Sequence, residues 1–211
     1  MIADKIKSLF EGINRKHREQ NTIYVTDLTS CMRRAFFNIY FNASPKPKGS
    51  MIAGTLFHYA LREILKGDEF SNAVFEVECS YEIGSWRIKG RADVVTDDAI
   101  YEFKFTRGTK FNKASPLYFA QVSAYCKMLE KDKGYLVLVD RDNFDVEVLE
   151  VTECDELWDI MLSDARILID HINNPRIPYY KSPCFDWECR NCVWNIVCYN
   201  LRGDADGAKL V

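Results

Sequence analysis

Hydrophobic residues recur along the chain with two different periods, and the switches between them mark the elements. Apolar residues at positions 2, 6, 9, 10 and 13 predict an amphipathic helix within residues 1–20. Thr26 or Asp27 is placed to cap a second helix that runs through Cys31 and Arg34 to about Phe41. The segment Asn42-Ala-Ser-Pro-Lys-Pro-Lys-Gly49 breaks the chain. A third helix over about 50–66 ends near Gly67. Three strand-like runs follow, Ala73–Glu82, Ser85–Thr96 and Ala99–Thr106. Ser115-Pro116 offers an N-cap and a first helical position, and Gly134 a C′ residue, so a helix is expected over about 116–132. Strands at Tyr135–Asp140 and Phe144–Val151 precede a long helix from about Asp155 to His171. Pro175, Pro178 and Pro183 then interrupt the pattern, and the tail 203–211 is expected to be loose. No internal repeat or low-complexity tract is present. This order predicts an α/β core of about 100 residues with helical arms at both ends.

The central hairpin brings two carboxylates together. In the run 85–96, Trp86, Ile88, Gly90, Ala92 and Val94 fall on one face, and Arg87, Lys89, Arg91 and Asp93 on the other. In the next run Tyr101, Phe103 and Phe105 form the apolar face, and Ile100, Glu102 and Lys104 the opposite one. A two-residue turn at Asp97-Asp98 pairs position 96 with 99. Asp93 then lies opposite Glu102, Arg91 lies opposite Lys104, and both apolar faces share a side, so the register is self-consistent. Opposed Cβ atoms sit about 4.5–5.5 Å apart. Two carboxylates that close repel unless a cation intervenes, and paired oxygens suit Mg²⁺ or Mn²⁺. A solvated strand face with alternating charge is the plainer alternative.

Other residues converge on the same place. On the helix over 116–132, Leu117, Ala120, Gln121, Ala124, Tyr125 and Met128 share a face. A buried amide costs about 1–3 kcal/mol unless paired, so Gln121 needs a polar partner. On the helix over 50–66, His58 lies between Ala53, Phe57, Leu61 and Leu65, either as a satisfied core histidine or as a ligand.

Composition changes this picture in three ways. With 211 residues, 47% of them hydrophobic, the chain can bury a core without a disulfide scaffold. Lys+Arg 28 against Asp+Glu 31 gives a net charge of −3, which excludes a generally basic nucleic-acid coat but not a nucleic-acid enzyme with local basic patches. Candidates for such a path are Arg33, Arg34, Lys46, Lys48, Arg87, Lys89, Arg91, Arg107, Lys110 and Lys113, and Phe111, Tyr118 and Phe119 are candidates for base stacking. No apolar run is long enough to span a membrane. The first ten residues carry charge through their apolar part, unlike a signal peptide, so a cytoplasmic protein is expected.

Eight cysteines are present, four of them between positions 184 and 198. Cys79, Cys126 and Cys154 fit buried small hydrophobes. Cys189-x2-Cys192 with Cys198 beyond it has metal-chelate spacing, suited to zinc or an iron–sulfur cluster. Either Cys31 or Cys184 would complete the set.

The motifs Gly54-Thr-Leu-Phe-His58, Gly90-Arg-Ala-Asp93, Glu102-Phe-Lys104 and Gln121-Val-Ser-Ala-Tyr125, in this order, resemble the RecB-like branch of the PD-(D/E)xK nuclease superfamily. With Cys31 upstream and Cys189, Cys192 and Cys198 downstream, the chain is similar to the CRISPR-associated RecB-like exonucleases, the fourth-numbered Cas family, over about residues 22–200. The resemblance implies a restriction-endonuclease-like α/β fold with a central mixed sheet flanked by helices, plus a helical iron–sulfur lobe built from both chain ends. Three segments follow from it: an arm over 1–48, a nuclease core over 49–151, and a C-terminal helix with the sulfur ligands over 152–211. It implies a cluster, [4Fe–4S] or else [2Fe–2S], on Cys31, Cys189, Cys192 and Cys198, with Cys184 as an addition to the pattern. It implies Mg²⁺ or Mn²⁺ on His58, Asp93, Glu102 and the Phe103 carbonyl, Lys104 as the catalytic lysine, and Gln121 and Tyr125 as support. The implied activity is 5′-to-3′ exonucleolytic hydrolysis of single-stranded DNA for CRISPR spacer acquisition. A RecB-like repair or viral nuclease, or a non-catalytic DNA-binding subunit, are the alternatives. Implied partners are single-stranded DNA or DNA ends, the CRISPR integrase complex and further copies of the chain in a homo-oligomer, with no membrane.

Overall fold

The computed structural model describes residues 2–12, 18–43, 49–66, 70–107, 116–152, 154–178 and 186–200. Its helices are α1 (Ile2–Gly12), α2 (Val25–Leu28), α3 (Met32–Tyr40), α4 (Gly49–Leu65), α5 (Pro116–Met128), α6 (Cys154–Asn173), α7 (Asp186–Asn191) and α8 (Asn195–Asn200). The strands are β1 (Thr22–Tyr24), β2 (Val74–Ile83), β3 (Trp86–Val95), β4 (Ala99–Thr106), β5 (Lys133–Asp140) and β6 (Val146–Val151). All six strands form one sheet in the order β1-β3-β4-β5-β6, with β2 paired to β3 off this path. The pairs β1–β3 and β4–β5 are parallel and the others antiparallel, so the sheet is mixed, as expected. Strand β5 is apolar almost throughout because it lies inside the sheet, between β4 and β6, with packing on both faces.

Each face of the sheet carries its own core. One contains Ile23, Phe36, Ile88, Ala92, Ile100, Val122, Leu136 and Leu168, covered by α3, α5 and α6. The other contains Val94, Phe103, Val137 and Val139 under Phe57, Leu61 and Leu65 of α4. The first core therefore spans elements from both ends of the chain. Cys79 and Cys126 lie buried in it, and Cys154 packs against it as a half-buried residue.

The β3–β4 turn has the expected register: Val95 pairs with Ile100 and Val94 with Tyr101, which sets position 93 against 102. The strict alternation along β3 does not hold. Trp86, Ile88 and Ala92 face the first core, but Val94 faces the second. The cause is a local irregularity at Asp93. Opposite it on β2, Glu76 adopts a left-handed φ of +57°, a strained conformation for a non-glycine residue inside a strand. The β3–β4 ladder has no paired residues beyond Val94–Tyr101. Arg91 is therefore not held opposite Lys104 but binds Glu76 on the outer face, and further back β1 takes the edge of β3 at Arg87–Lys89.

Three other expectations need correction. The second helix is two helices, α2 and α3, separated at Thr29–Cys31, and Asp27 is not an N-cap but sits inside α2. Its carboxylate accepts the Tyr24 N–H at 2.9 Å and hydrogen bonds from the two terminal guanidinium nitrogens of Arg18. Strand β1 was not legible, since three residues carry no readable period. Gly134 is not a helix cap, because α5 stops at Met128 and Glu130 takes the left-handed position, φ +53°. Gly134 lies in β5, where a Cβ would come within 2.5 Å of Val122 Cγ1 and 2.7 Å of Cys126 Sγ. It is glycine so that α5 can approach the sheet closely. Ser115 and Cys184 lie outside the described residues, as do Lys46, Lys48, Lys110, Phe111 and Lys113. Among the described residues no helix is long and apolar enough to cross a membrane.

Candidate active site

Where β3 leaves β4, the Asp93 side chain takes over the missing ladder bond. Its Oδ2 accepts the Phe103 N–H at 2.8 Å. Oδ1 then faces His58 of α4, with Nδ1 3.4 Å away. The parting of two strands is thus what turns a sheet position into a cleft position. Glu102, one residue before Phe103, is buried at 2% exposure on the opposite side of this gap. Its Oε1 accepts from Lys104 Nζ at 2.6 Å, and its Oε2 is buried with no hydrogen-bond partner. A buried carboxylate oxygen without a donor is costly.

Lys104 is held by geometry as much as by charge. Its ammonium also donates to Gln121 Oε1 at 2.9 Å, and Gln121 Nε2 donates to the Tyr125 hydroxyl at 2.8 Å. The polar partner that Gln121 required is therefore the lysine and the tyrosine together. Nζ also lies 5.1 Å from the centroid of the Tyr118 ring. An ammonium has three donors, so one N–H of Lys104 remains after Glu102 and Gln121 are served. Tyr125 in turn packs on β3, where a Cβ on Gly90 would come within 2.5 Å of Tyr125 Cε1. Gly90→Ala is expected to displace this ring, cost about 1–3 kcal/mol of stability and loosen the Tyr125–Gln121–Lys104 chain. Thermal unfolding combined with a turnover assay checks this, and a variant with unchanged melting and rate would contradict it.

Burial dominates the titration of the cleft. It raises Asp93 from 3.8 to about 6, against the pull of Lys104. It raises Glu102 from 4.5 to about 8, aided by repulsion from Asp93. His58 is lowered by burial, with Glu102 opposing. For Lys104 burial alone acts downward, but the Glu102 and Asp93 carboxylates outweigh it and hold the group above its ordinary value. Without a cation, the folded state thus keeps protons on Asp93 and Glu102 that the unfolded chain releases near pH 4. That stabilisation is complete below the unfolded values and is lost as pH rises through the folded ones. In chelator, the melting temperature is expected to fall by several degrees between about pH 5 and pH 8. Mn²⁺, which competes with those protons, is expected to stabilise far more at the upper end. Equal stabilisation by Mn²⁺ across this range would refute the assignment.

One acidic residue was missed by the sequence reading. His58, Glu76 and Asp93 each offer a ligand atom, all within 4.8 Å of one another. Glu102, also expected to be a ligand, is not one of these three, and Phe103 is joined to Asp93 through its N–H. The signal for Glu76 was available: Gly84 and Ser85 form the β2–β3 turn, and the pairing of Ile83 with Trp86 sets position 76 against 93. The donor set of imidazole, carboxylates and one orphaned carboxylate oxygen fits a divalent cation such as Mg²⁺ or Mn²⁺.

The clustered cysteines come together from both chain ends. Cys31 precedes α3 at its N-cap position, Cys189 lies in α7, Cys192 follows it, and Cys198 lies in α8. Burial raises the Cys192 thiol, which also feels Cys31 and Cys189. Burial likewise raises Cys198, which feels Arg33, Cys31 and Cys192. Trp194 ties the loop to α3 by donating to Asn38 Oδ1 at 2.8 Å and packing against Phe37 and Phe41. Cys31, Cys189, Cys192 and Cys198 are free and half-buried, and four soft thiols have the donor chemistry that an iron–sulfur cluster takes.

The candidate DNA path is only partly on the surface. Arg33 is buried and its Nε donates to the Pro178 carbonyl at 3.1 Å, so it is not available to DNA. Arg87, Lys89 and Arg91 are each opposed by glutamates, Glu82 at 3.8 Å, Glu19 and Glu78 at 2.8 and 3.2 Å, and Glu76 at 2.7 Å. Arg34 faces Glu188 at 3.6 Å, and Arg107 faces Asp142 at 3.3 Å. Phe119 packs against the first core rather than standing free.

Comparison with known proteins adds to this geometry. The family model of the PD-(D/E)XK nuclease superfamily matches residues 65–199, and that of the DNA replication factor Dna2 matches residues 21–94. The CRISPR-associated exonuclease Cas4 of Saccharolobus solfataricus is 32% identical over 196 residues, 86% of this chain and 89% of its own. The crystal structure of SSO0001 is 30% identical, with a TM-score of 0.69, covering 100% of this chain and 98% of that one. The alkaline exonuclease of Laribacter hongkongensis shares the fold, with a TM-score of 0.54 at 12% identity over 79% of this chain and 94% of that one.

Proposed function

This chain belongs to the PD-(D/E)XK nuclease superfamily and, within it, to the Cas4 exonuclease family, and from that premise we propose that its cleft is the active site of an exonuclease acting on single-stranded DNA ends. Such enzymes are metal-dependent hydrolases of DNA. The polarity is proposed as 5′-to-3′ and the role as trimming DNA for CRISPR spacer acquisition, with the integrase complex as the partner. The observation that carries the assignment of residues is the orphaned Glu102 Oε2, buried beside Asp93 while Lys104 occupies Oε1.

His58, Asp93 and Glu102, with the Phe103 carbonyl, would hold the divalent cation, and Glu76 is close enough to join them. When bound, the cation lowers the pKa of a water and offsets charge on the attacked phosphate. The residues do the rest. Asp93 uses Oδ2 to grip the Phe103 N–H, so its Oδ1 stays oriented toward His58. Glu102 gives one oxygen to Lys104 and keeps the other for the cleft. Lys104, held protonated by its carboxylate neighbours, acts as a donor and not as a base. Its remaining N–H aligns the attacking water or a phosphate oxygen, where negative charge grows in the transition state. Gln121 and Tyr125 keep the ammonium in place. Tyr118 lies close enough to the ammonium to border the substrate path.

Cys31, Cys189, Cys192 and Cys198 are proposed to hold an iron–sulfur cluster, [4Fe–4S] or [2Fe–2S], that joins the two chain ends as a structural lobe. Its role is to fix α3 against α7 and α8, since metal binding of this kind contributes directly to folding. The decisive assay is digestion of end-labelled single-stranded DNA in Mn²⁺, Mg²⁺ and EDTA by the wild type and Glu102→Ala. Cation-dependent shortening from one end, absent in EDTA and in the variant, is the expected result. Undiminished digestion by Glu102→Ala would remove this site from the reaction.

A further inference from the structure

We propose that Arg91 is exchanged between Glu76 and the DNA, so that arrival of the active-site cation releases a phosphate-binding arm. This rests on the reading of the cleft as a cation-dependent nuclease site. Arg91 Nε binds Glu76 Oε2 at 2.7 Å, and its side chain is half exposed. Glu76 is also one of three residues whose ligand atoms gather at the cleft, with His58 and Asp93. The adjoining Glu102 Oε2, unpartnered on a residue that is 2% exposed, is the independent sign that a cation belongs there. One glutamate is thus claimed by two positive groups.

The two claims oppose each other. A dication on His58, Glu76 and Asp93 draws on the charge of Glu76 and repels the guanidinium beside it. The guanidinium needs a new anion, and its planar fork of donors fits a phosphodiester. Arg91 lies on the same outer face of β3 as Arg87 and Lys89, but their partners, Glu82, Glu78 and Glu19, are not among the gathered ligands. Of these three basic residues, only Arg91 is therefore coupled to the cation. In the cation-free state the Arg91–Glu76 pair keeps the arm off DNA and engages Glu76, whose ligand atom already lies with those of His58 and Asp93. In the loaded state both are released to their tasks. The left-handed backbone at Glu76 is the feature that turns its side chain from the strand face toward both claimants.

The test uses full-length protein and Mn²⁺ alone, followed by calorimetric titration. Glu76→Gln is expected to weaken Mn²⁺ binding about tenfold or more. Arg91→Gln is expected to tighten it about threefold or more, because a competing positive charge is gone. The double variant is expected to bind like Glu76→Gln, since Arg91 acts only through Glu76. A phosphorothioate-linked, labelled oligonucleotide supplies the second reading. Arg91→Gln is expected to weaken its binding about tenfold with Mn²⁺ present and to leave it nearly unchanged in EDTA. Unaltered Mn²⁺ affinity in Arg91→Gln, or an equal loss of oligonucleotide affinity with and without Mn²⁺, overturns the exchange. Those outcomes differ from failure of the underlying reading, in which the wild type binds no Mn²⁺ or Asp93→Asn binds it as well as the wild type.

Discussion

Asp93→Ala is expected to lower DNA hydrolysis by about 10³-fold or more and to abolish Mn²⁺ binding at the cleft. Asp93 serves two needs at once. One oxygen closes the strand edge through the Phe103 N–H, and the other faces His58. Alanine removes the ligand and leaves a half-buried N–H without its acceptor. Glu102 also loses the neighbour that repels it, so its carboxyl becomes easier to ionise. Lys104→Ala separates binding from chemistry. Turnover is expected to fall about 10²–10³-fold, as for removal of one preorganised donor, while the carboxylates and His58 remain in place. Mn²⁺ affinity is then expected to stay within about threefold of the wild type, because the loss of a nearby positive charge offsets the loss of order at Glu102. Calorimetric Mn²⁺ titration and end-labelled digestion of both variants check the pair. Full activity in Asp93→Ala, or loss of Mn²⁺ binding in Lys104→Ala, would contradict the assignment.

Cys192→Ala is expected to abolish visible absorption and leave a protein that is insoluble or melts far below the wild type. The lobe holding it is small. α7 and α8 are short helices, and Trp194 and the Arg34–Glu188 pair anchor this segment on α3, Trp194 through Asn38, Phe37 and Phe41. Such short helices bury little apolar surface of their own, so the proposed cluster would supply much of the folding energy there. Loss of activity follows through the fold rather than through the chemistry, because the thiols and the carboxylate cleft belong to separate groups of residues. Cys184→Ser is expected to keep both colour and melting temperature, since Cys31 is the proposed fourth ligand. A colourless but fully stable Cys192→Ala would defeat the structural role, and a colourless Cys184→Ser would reassign the fourth ligand. Absorption spectra and thermal melts of freshly purified protein measure both.

How much of this was legible depended on the length and period of each element. The hairpin β3–β4 could be read because a two-residue turn between alternating strands leaves one consistent register, and that register already opposed Asp93 to Glu102. The α5 motif was readable because Gln121 and Tyr125 recur one turn apart on an apolar face. Strand β1 was not readable, because three residues carry no period and gain their place only by docking on β3. Gly134 looked like a helix stop, yet it marks a close approach of α5 to the sheet, a fact that belongs to two elements at once. The order and type of the long elements, the acidic pair and the spacing of the thiols are properties of neighbouring residues, so sequence alone determined them. The parting of β3 from β4, the turn of Glu76 into the cleft and the pairing of Arg34 with Glu188 and of Arg91 with Glu76 arise between segments apart in the chain. Only tertiary structure decides those, because they depend on which backbone edges remain unpaired once the sheet has closed.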